Sequence, residues 1–389
     1  MLLSPVERSK MSTTSHVTTL TLDLQRVKEN LSCVRNHLAR SGGKEPGVIA
    51  VIKGFGYGTD APAMARLLAS ESVEYVAVAY VEEGVQLRDS GFHGKILVLN
   101  PDPSTFNMMG EHLLEPSLIS LAQLEEYLVW VKKNKSQIKP IHLNFDTGMH
   151  RLGFQPGQIN VIAERLRSIP ELRLATVYTH LAATESEIHD EKTEEQLSKF
   201  TSLVTTLRAE LSGSPSLEGF KTHSLNSSGA IRFPQHGMDY VRVGLSLLGT
   251  ELSEGEIGLM PAASFKTIIT QVQTIPAGEG VGYGFDTPTD STRDIAWLPV
   301  GYADGYPRSL SNGKGVVSIG GHLAPVVGRV CMDLTAVDVT GLSVSVGDEV
   351  ELFGDSVRIE DVARAADTIP YELIARVHQR VIRRIKNDS

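Results

Sequence analysis

Short apolar runs alternate with helical patterns over about the first 250 residues, and this alternation limits the folds open to the chain. Apolar runs of four to six residues predict strands, and the segments after them predict helices that pack on a sheet. An earlier amphipathic helix is predicted by the spacing of Leu24, Val27, Leu31, Val34 and Leu38. The predicted strands are 47–52, 75–79, 95–99, 114–119, 141–145, 174–178, 222–224 and 240–244.

Eight strand–helix units of this kind indicate a parallel sheet covered by helices. Such a sheet either closes into a (β/α)8 barrel of the TIM type or stays open and doubly wound. In an open sheet the functional side chains collect at one switch point of the strand order, whereas every strand end of a barrel can contribute. Candidate functional residues follow many different strands here, and this spread favours the α/β barrel.

The pattern changes from about Phe265. Apolar runs become shorter, often alternate with polar residues, and are separated by Pro-Ala-Gly, Ser-Asn-Gly and Gly-Gly. These features predict a mainly β domain, with a helix over Glu372–Ile385 whose last turns carry the basic residues that a helix dipole favours. We therefore expect a disordered extension over 1–15, a barrel over 16–258 and a C-terminal β domain over 259–389.

Composition and charge narrow the class of protein. The chain has 389 residues, too many for one ordinary core, with 41% hydrophobic and 21% charged residues, which is typical of a globular protein. A net charge of −9 without a basic run argues against a nucleic-acid surface, and no apolar run reaches membrane-spanning length. Two cysteines, Cys33 and Cys331, indicate no disulfide framework, and no signal-peptide pattern precedes the first strand. A cytoplasmic location is expected.

Lys53 follows the apolar run Gly47–Ile52 and precedes the glycine-rich stretch Gly54–Gly58. The run predicts a buried parallel strand that emerges beside a turn at a functional edge. A partly desolvated amine in such a place can lose its proton and attack an aldehyde to form a Schiff base. On this stretch alone, a surface lysine that merely follows a strand is the commoner case.

Other polar residues follow predicted barrel strands or lie in glycine-rich turns of the second domain. Each has an ordinary interpretation, such as a hydrogen-bonding histidine at a strand end or a Gly-Tyr-Gly turn. Arg242 is less ordinary, because a guanidinium buried in an apolar strand costs about 3–5 kcal/mol if its partner is missing. The clusters are Asp146–Gly153 with Arg151, Tyr178–Ala182 with His180, Asn226–Ser228, Gly282–Gly284, Gly301–Tyr306 and Cys331–Asp333.

The order and spacing of these clusters resemble the alanine racemase family, which uses pyridoxal phosphate, from about His16 to the C-terminus. The resemblance implies a barrel that binds the cofactor, a β domain, and a head-to-tail homodimer in which each active site receives the partner's second domain. Lys53 and Tyr57 match the family's cofactor-lysine motif. The other matches are Arg151, His180, Asn226, Ser227, Arg242, Gly244 and Leu245 in the barrel, and Tyr283, Tyr302, Met332, Asp333 and Tyr371 in the second domain.

The resemblance also implies roles. The implied catalytic residues are Lys53, Tyr283, Arg151, His180, Arg242 and Asp333. Those implied to bind the cofactor are Lys53, Tyr57, Asn226, Ser227, Arg242, Gly244, Leu245 and Tyr371. The substrate is expected to meet Arg151, Met332 and Tyr302, and no metal is expected.

Racemisation removes the α-proton from one face of an amino acid and returns a proton to the other. The resemblance assigns Lys53 to one face and Tyr283 of the partner subunit to the other. A free phenol has a pKa near ~10, so the family's polar relay, here His180 and Arg242, must help it act as a base. In the family the arginine faces the cofactor's pyridine nitrogen and cannot protonate it fully, since its pKa is above ~12, which favours racemisation over decarboxylation.

Three positions depart from the family pattern. The segment after Lys53 is Gly-Phe-Gly-Tyr-Gly-Thr in place of the usual Ala-Asn-Ala-Tyr-Gly-His. Asn144 stands where many members carry a carbamylated lysine that orients the arginine, so a bound anion such as chloride is expected to supply the missing charge. Leu248 replaces a common tyrosine. These differences bear on the substrate range more than on the type of reaction.

The expected function is a racemase that interconverts L- and D-alanine and supplies D-alanine for peptidoglycan. One alternative is another enzyme on the same scaffold, either a racemase for serine or a broader set of amino acids, or a decarboxylase. A second alternative is a protein that binds pyridoxal phosphate without turnover. Tyr283 and the whole second domain argue against this last alternative.

Overall fold

The computed structural model describes residues 17–42, 45–134, 140–250, 257–288 and 290–387. The expected extension over 1–15 lies outside the described residues. The described chain divides into two compact units, which we call the barrel unit, Asp23–Ala262, and the sheet unit, formed by residues 17–22 together with Ala263–Lys386. No helix among the described residues is long and apolar enough to cross a membrane.

The first strand, β1 (Thr19–Asp23), pairs antiparallel with a strand of the sheet unit, so that Leu20 lies opposite Phe265. The sequence had placed this segment in the barrel. Its leucines alternate with threonines and both are buried, at 1% exposure, which is the pattern of a strand with one face in an apolar core. The division therefore falls at Asp23 and Ala263 instead of at residues 16 and 259.

The barrel unit is built on eight parallel strands that close in sequence order. Most of their residues are buried, because helices cover the outer face and side chains fill the interior, and this explains the near-continuous apolar runs. The predicted barrel is confirmed. The strands are β2 (Gly47–Val51), β3 (Tyr75–Val78), β4 (Lys95–Val98), β5 (Glu115–Leu118), β6 (Ile141–Phe145), β7 (Leu174–Thr179), β8 (Lys221–His223) and β9 (Tyr240–Val243).

Helices precede and follow these strands. The helix predicted before β2 begins after Asp23, whose carboxylate accepts the backbone N–H of Arg26 and satisfies one of the free donors at the helix start. The helices are α1 (Leu24–Arg40), α2 (Ala61–Ser70), α3 (Val81–Asp89), α4 (Phe106–Glu111), α5 (Leu121–Lys133), α6 (Ile159–Arg167), α7 (Asp190–Leu211), α8 (Pro215–Glu218) and α9 (Ser227–Arg232).

The sheet unit is mainly antiparallel, which confirms the predicted β domain. Its elements are β10 (Ala263–Ile268), β11 (Gln271–Ile275), β12 (Arg293–Leu298), β13 (Val316–Ile319), β14 (His322–Val327), β15 (Thr335–Asp338), β16 (Glu349–Phe353), α10 (Ile359–Ala365), α11 (Pro370–Ala375) and β17 (Ile382–Lys386). Together with β1, the strands form one nine-stranded sheet in the order β11-β12-β15-β14-β13-β16-β10-β1-β17.

The helix expected over Glu372–Ile385 is wrong. Only Pro370–Ala375 is helical, and Ile382–Lys386 forms the edge strand β17 beside β1. The basic residues that suggested a helix terminus instead lie on an edge strand, where charged side chains discourage pairing with another chain. Residues 382–386 form a strand because they pair with β1, and this distant partner cannot be predicted from local propensity.

Candidate active site at the barrel mouth

Most barrel residues expected to act together lie at the carboxyl ends of the strands. Lys53 follows β2, Arg151 follows β6, His180 follows β7, Ser227 follows β8 and Gly244 follows β9. The carboxyl ends of parallel strands meet at one face of a barrel. The cationic groups there influence one another, since the charges of Lys53, Arg151 and Arg242 all act on the His180 ring.

The chain after Lys53 turns in the left-handed sense. Gly54, Phe55, Gly56, Tyr57 and Gly58 have φ angles of 62, 56, 70, 57 and 82° in succession. A left-handed conformation strains residues that have a Cβ atom, and glycine at three of the five positions relieves this strain. The glycine-rich segment is therefore a tight left-handed turn that turns the chain back against α2.

Glu83 on α3 holds this turn in place. Its Oε1 accepts the backbone N–H groups of Gly54 and Phe55, and its Oε2 accepts those of Ala79 and Tyr80 at 2.7 and 3.1 Å. One carboxylate thus joins the turn after Lys53 to the end of β3. Sequence reasoning missed this residue, although a glutamate at the third position of a helix often accepts N–H groups before the helix.

The Lys53 amine is less basic than a free lysine. Desolvation at the crowded strand end is the main cause of its lowered pKa, the positive charge of Arg151 adds to it, and the Glu83 carboxylate opposes it. The side chain is nevertheless exposed in the single chain. An accessible amine that gives up its proton easily suits both covalent attachment and proton transfer.

Arg242 is 4% exposed, and both terminal nitrogens of its guanidinium donate to acceptors. Nη2 donates to the carbonyl oxygens of Thr179 at 2.8 Å and Ser224 at 2.9 Å. Nη1 donates to Nδ1 of His223 at 2.7 Å. These partners supply the acceptors that a buried arginine requires, while burial lowers its pKa to about 10. The group still keeps its charge at neutral pH.

His180 is neutral beside this cation. Its Nδ1 lies 3.3 Å from Nη2 of Arg242 and must accept, because arginine only donates. Burial and the charges of Arg242, Arg151 and Lys53 lower the pKa of the His180 ring to about 3. The remaining hydrogen is therefore on Nε2, which is left as a donor.

Hydroxyl and backbone groups converge where β8 and β9 end. The N–H of Gly244 donates to Oγ of Ser227 at 3.0 Å. A Cβ atom on Gly244 would lie 2.2 Å from the Tyr57 hydroxyl, so glycine is required for the tyrosine to pack over the backbone. Leu245 begins the short helical turn that follows. Hydroxyl and N–H groups at strand ends are what a phosphate requires, and these residues fit the phosphate of the expected cofactor.

Three further residues singled out in the sequence differ in burial and in hydrogen bonding. Oδ1 of Asn226 caps α9 by accepting the N–H of Gly229 at 2.9 Å and also accepts the Thr184 hydroxyl at 2.7 Å, so its oxygen is occupied within the protein. Asn144 is 8% exposed, and its Oδ1 has no hydrogen-bond partner. Arg151 is exposed in the single chain.

The sheet unit carries the other expected residues mostly on loops. Tyr283, Tyr302 and Met332 are 70, 44 and 53% exposed. Asp333 pairs with Nη1 of Arg380 at 2.7 Å, while the other side of that guanidinium binds Asp304 at 2.6 and 2.8 Å. Tyr371 is half-buried in the first turn of α11. Arg380 escaped sequence reasoning because its partners lie far away along the chain.

Comparison with known proteins agrees with this geometry. The family model for the alanine racemase N-terminal domain matches residues 22–251, and that for the C-terminal domain matches residues 262–385. The alanine racemase of Halothermothrix orenii is 35% identical over 370 residues, which cover 92% of this chain and 96% of the relative. That of Alteromonas mediterranea is 36% identical over 345 residues, which cover 87% and 91%.

Solved structures give the same result. The alanine racemase of Streptomyces lavendulae, a producer of D-cycloserine, superposes with a TM-score of 0.87 at 29% identity and covers 96% of this chain and 97% of its own. The biosynthetic alanine racemase of Pseudomonas aeruginosa gives 0.82 at 30% identity, covering 95% and 99%. Sequence and fold thus agree over both units: this chain belongs to the alanine racemase family of isomerases, and its cofactor is pyridoxal 5′-phosphate.

Proposed function

We propose that the protein interconverts L- and D-alanine with two bases, Lys53 on one face of the substrate and Tyr283 of the partner subunit on the other. Pyridoxal phosphate, when bound in this site, would withdraw electrons from the substrate α-carbon and make its proton acidic, with the Lys53 amine left free to act as a base. The observation that carries the proposal is Arg242, a fully engaged buried cation beside the neutral His180.

Lys53 is suited to hold and release the proton. Its pKa is lowered toward the working pH, where a base works best. The left-handed turn and Glu83 fix the backbone on which the amine is mounted. The amine can therefore return to the same place after each proton transfer.

Arg242 favours racemisation over decarboxylation. Every group that it contacts through a hydrogen bond is an acceptor, and its pKa of about 10 keeps it charged at neutral pH. Facing the pyridine nitrogen, such a cation would leave that nitrogen unprotonated and so weaken electron withdrawal. With electron withdrawal weakened, a proton would return to the substrate α-carbon before other reactions could occur.

His180 would orient and acidify the opposing phenol. Since its Nδ1 accepts from Arg242, its Nε2 hydrogen is available to donate to the oxygen of Tyr283 of the partner subunit. A donor and nearby cations stabilise a phenolate and lower its pKa. The arrangement would let the tyrosine act as a base at neutral pH.

Further residues would hold the ligands. The phosphate would be bound by Tyr57, Ser227, the backbone of Gly244 and Leu245, and Tyr371. The substrate carboxylate would meet Arg151 and the backbone of Met332, while Tyr302 and Tyr371 would limit the site to small side chains. Asn226 would contribute through its amide nitrogen, because its oxygen is already bound.

We place this enzyme in the cytoplasm as a head-to-tail homodimer that supplies D-alanine for peptidoglycan. The acidic, cysteine-poor composition supports such a location. An anion such as chloride is proposed near Asn144, whose side-chain oxygen has no partner, so that the amide can turn its N–H groups outward.

The test is exchange of the α-proton in heavy water with alanine, serine and lysine as substrates. We expect exchange and racemisation to be fastest with alanine, and Tyr283→Phe to impair exchange mainly for one enantiomer, because only one face loses its base. Equal loss for both enantiomers would argue against two bases. Faster turnover of serine, or release of carbon dioxide from lysine, would favour the other enzymes on this scaffold.

A further inference from the structure

A continuous line of buried hydrogen bonds crosses the barrel interior beneath Arg242. Its members come from five consecutive strands of the barrel, β5 to β9. All are nearly inaccessible, at 7, 0, 1, 0 and 4% exposure. They are Glu115, His142, Thr176, His223 and Arg242, which we call the barrel relay.

The distances between neighbours are short throughout. Arg242 Nη1 lies 2.7 Å from His223 Nδ1, and His223 Nε2 lies 3.0 Å from Oγ1 of Thr176. Thr176 Oγ1 lies 2.7 Å from His142 Nδ1, and His142 Nε2 lies 3.0 Å from Oε2 of Glu115. Tyr75 also donates its hydroxyl to that carboxylate oxygen, at 3.1 Å.

The arginine end determines which atom carries each hydrogen. A guanidinium has no acceptor, so His223 Nδ1 must be unprotonated and its hydrogen must be on Nε2. That hydrogen points to Thr176, whose own hydroxyl hydrogen then points to Nδ1 of His142. His142 therefore carries its hydrogen on Nε2 and donates it to Glu115. Each member of the barrel relay therefore donates to the next, from the guanidinium of Arg242 to the carboxylate of Glu115.

The reverse direction is incompatible with Arg242. If the Thr176 hydroxyl donated to His223 Nε2 instead, His223 would present Nδ1–H to a guanidinium N–H. Two donors would then face each other in a buried place, which costs the full desolvation penalty of an unsatisfied group. At the far end, acceptance of the His142 Nε2 hydrogen by the Glu115 carboxylate favours the same direction.

Glu115 also offers the negative charge that the guanidinium lacks nearby. Among the residues that the structure describes, no carboxylate lies within 4.0 Å of Arg242, and its direct partners are carbonyls and two imidazoles. Polarised chains of hydrogen bonds strengthen one another in a medium of low dielectric constant. The carboxylate thus supports the cation through the intervening rings.

We propose that Glu115 is a positioning residue for this enzyme: by accepting the hydrogen of His142, it orients the barrel relay and holds the guanidinium of Arg242 at the barrel mouth. The orientation of the relay follows from the contacts alone. Its effect on turnover rests on the proposed function of Arg242, and the two parts are tested by separate measurements.

The first measurement is nitrogen NMR of the histidine rings in the cofactor-free protein, labelled at histidine. We expect Nε2 to carry the hydrogen and Nδ1 to carry none in both His223 and His142. A hydrogen on Nδ1 of either ring would overturn the relay. This result does not depend on any activity of the protein.

The second measurement follows the His223 Nδ1 signal in variants. Thr176→Val removes the middle hydroxyl, and Glu115→Leu removes the terminal acceptor, so both should shift the signal. Glu115→Gln keeps an acceptor oxygen and should shift it less, which provides a result even if the leucine variant fails to fold. An unchanged His223 signal in both Thr176→Val and Glu115→Gln would overturn the proposal.

The third measurement is alanine turnover. Glu115→Leu and Thr176→Val should each lower kcat roughly tenfold or more, the factor that one hydrogen bond to a charged group amounts to, with little change in KM. The control is Glu351→Gln, at a buried carboxylate of the sheet unit that accepts two backbone N–H groups, which should leave both constants unchanged.

Unchanged kcat in a variant with a shifted His223 signal would contradict the positioning role. A wild-type protein with the expected tautomers but no turnover would instead refute the proposed function.

Discussion

The two units differ in how charged and polar side chains are placed in their interiors. Inside the barrel, Glu115, His142, His223 and Arg242 are all less than 9% exposed and are joined by hydrogen bonds. The core cluster of the sheet unit consists instead of aliphatic and aromatic side chains, with Phe265 as one example. The strands of both units are of similar length, so strand length alone does not show whether an interior holds charged or apolar side chains.

The difference separates two uses of burial. In the sheet unit, burial gives stability, because apolar area is removed from water. In the barrel, burial strengthens each electrostatic interaction and hydrogen bond, because the dielectric constant is lower than that of water. It also raises the free-energy cost of a polar group left without a partner. Changes in the barrel should therefore affect protonation and chemistry, whereas changes in the sheet core should affect folding.

The largest effect is expected from Lys53→Ala. Loss of the amine removes both the attachment of the cofactor and one proposed base, and turnover of alanine should fall by at least about 10⁴-fold, or about 5.5 kcal/mol. The absorbance of the lysine-bound cofactor should disappear. Lys95→Ala, at the start of β4 and away from the barrel mouth, should keep both. Persistence of the absorbance band in Lys53→Ala would refute the assignment of this lysine.

Next in size is Phe265→Ala in the sheet core. The ring is 1% exposed and packs 5.5 Å from that of Phe353 between centroids, so the cavity should lower the free energy of unfolding by about 3–5 kcal/mol. Urea denaturation measures the loss. Leu323→Ala, at a side chain 63% exposed on β14, should cost less than about 0.5 kcal/mol. Similar losses in the two variants would contradict the apolar core.

A smaller effect is expected from Glu83→Gln. Four backbone N–H groups point at this side chain, and an amide would replace one accepting oxygen with a donor, which should cost about 2 kcal/mol of unfolding free energy. The turn after Lys53 should loosen, and its amide hydrogens should exchange faster with heavy water. Glu82→Gln, at the exposed neighbouring position, is the matched control. Equal exchange in both variants would show that Glu83 does not hold the turn.

The most gradual change is a pH dependence of the stability that comes from His180. Its folded-state pKa of about 3 lies below the unfolded value of 6.5, so the unfolded chain binds the proton first, and stability is lost as the pH falls from about 6.5 toward 3. His180→Gln removes this term and should flatten the slope by about 1.4 kcal/mol per pH unit. Denaturation between about pH 4.5 and 6 measures it. His322→Gln, at an exposed ring of the sheet unit, should leave the slope unchanged.

Sequence patterns were sufficient for the barrel strands and for the class of the second domain. Apolar runs at regular intervals predicted the barrel strands, because a parallel strand covered on both faces needs continuous apolar residues. The order of Lys53, Arg151, His180 and Arg242 along the chain identified the family, and strand ends predicted where these residues lie. Apolar runs and the polar residues that follow them recur along the chain, and each can be recognised from a few neighbouring residues.

Tertiary structure alone decided the rest. The joining of β1 to the sheet unit, the strand at Ile382–Lys386, the clamp by Glu83 and the relay from Glu115 all depend on partners that are far apart in sequence. Hydrogen bonds act over about 3 Å and depend on direction, so only the packed strands show which donors face which acceptors. The sequence by itself determined the scaffold and the candidate residues, and the fold determined how their hydrogens are arranged.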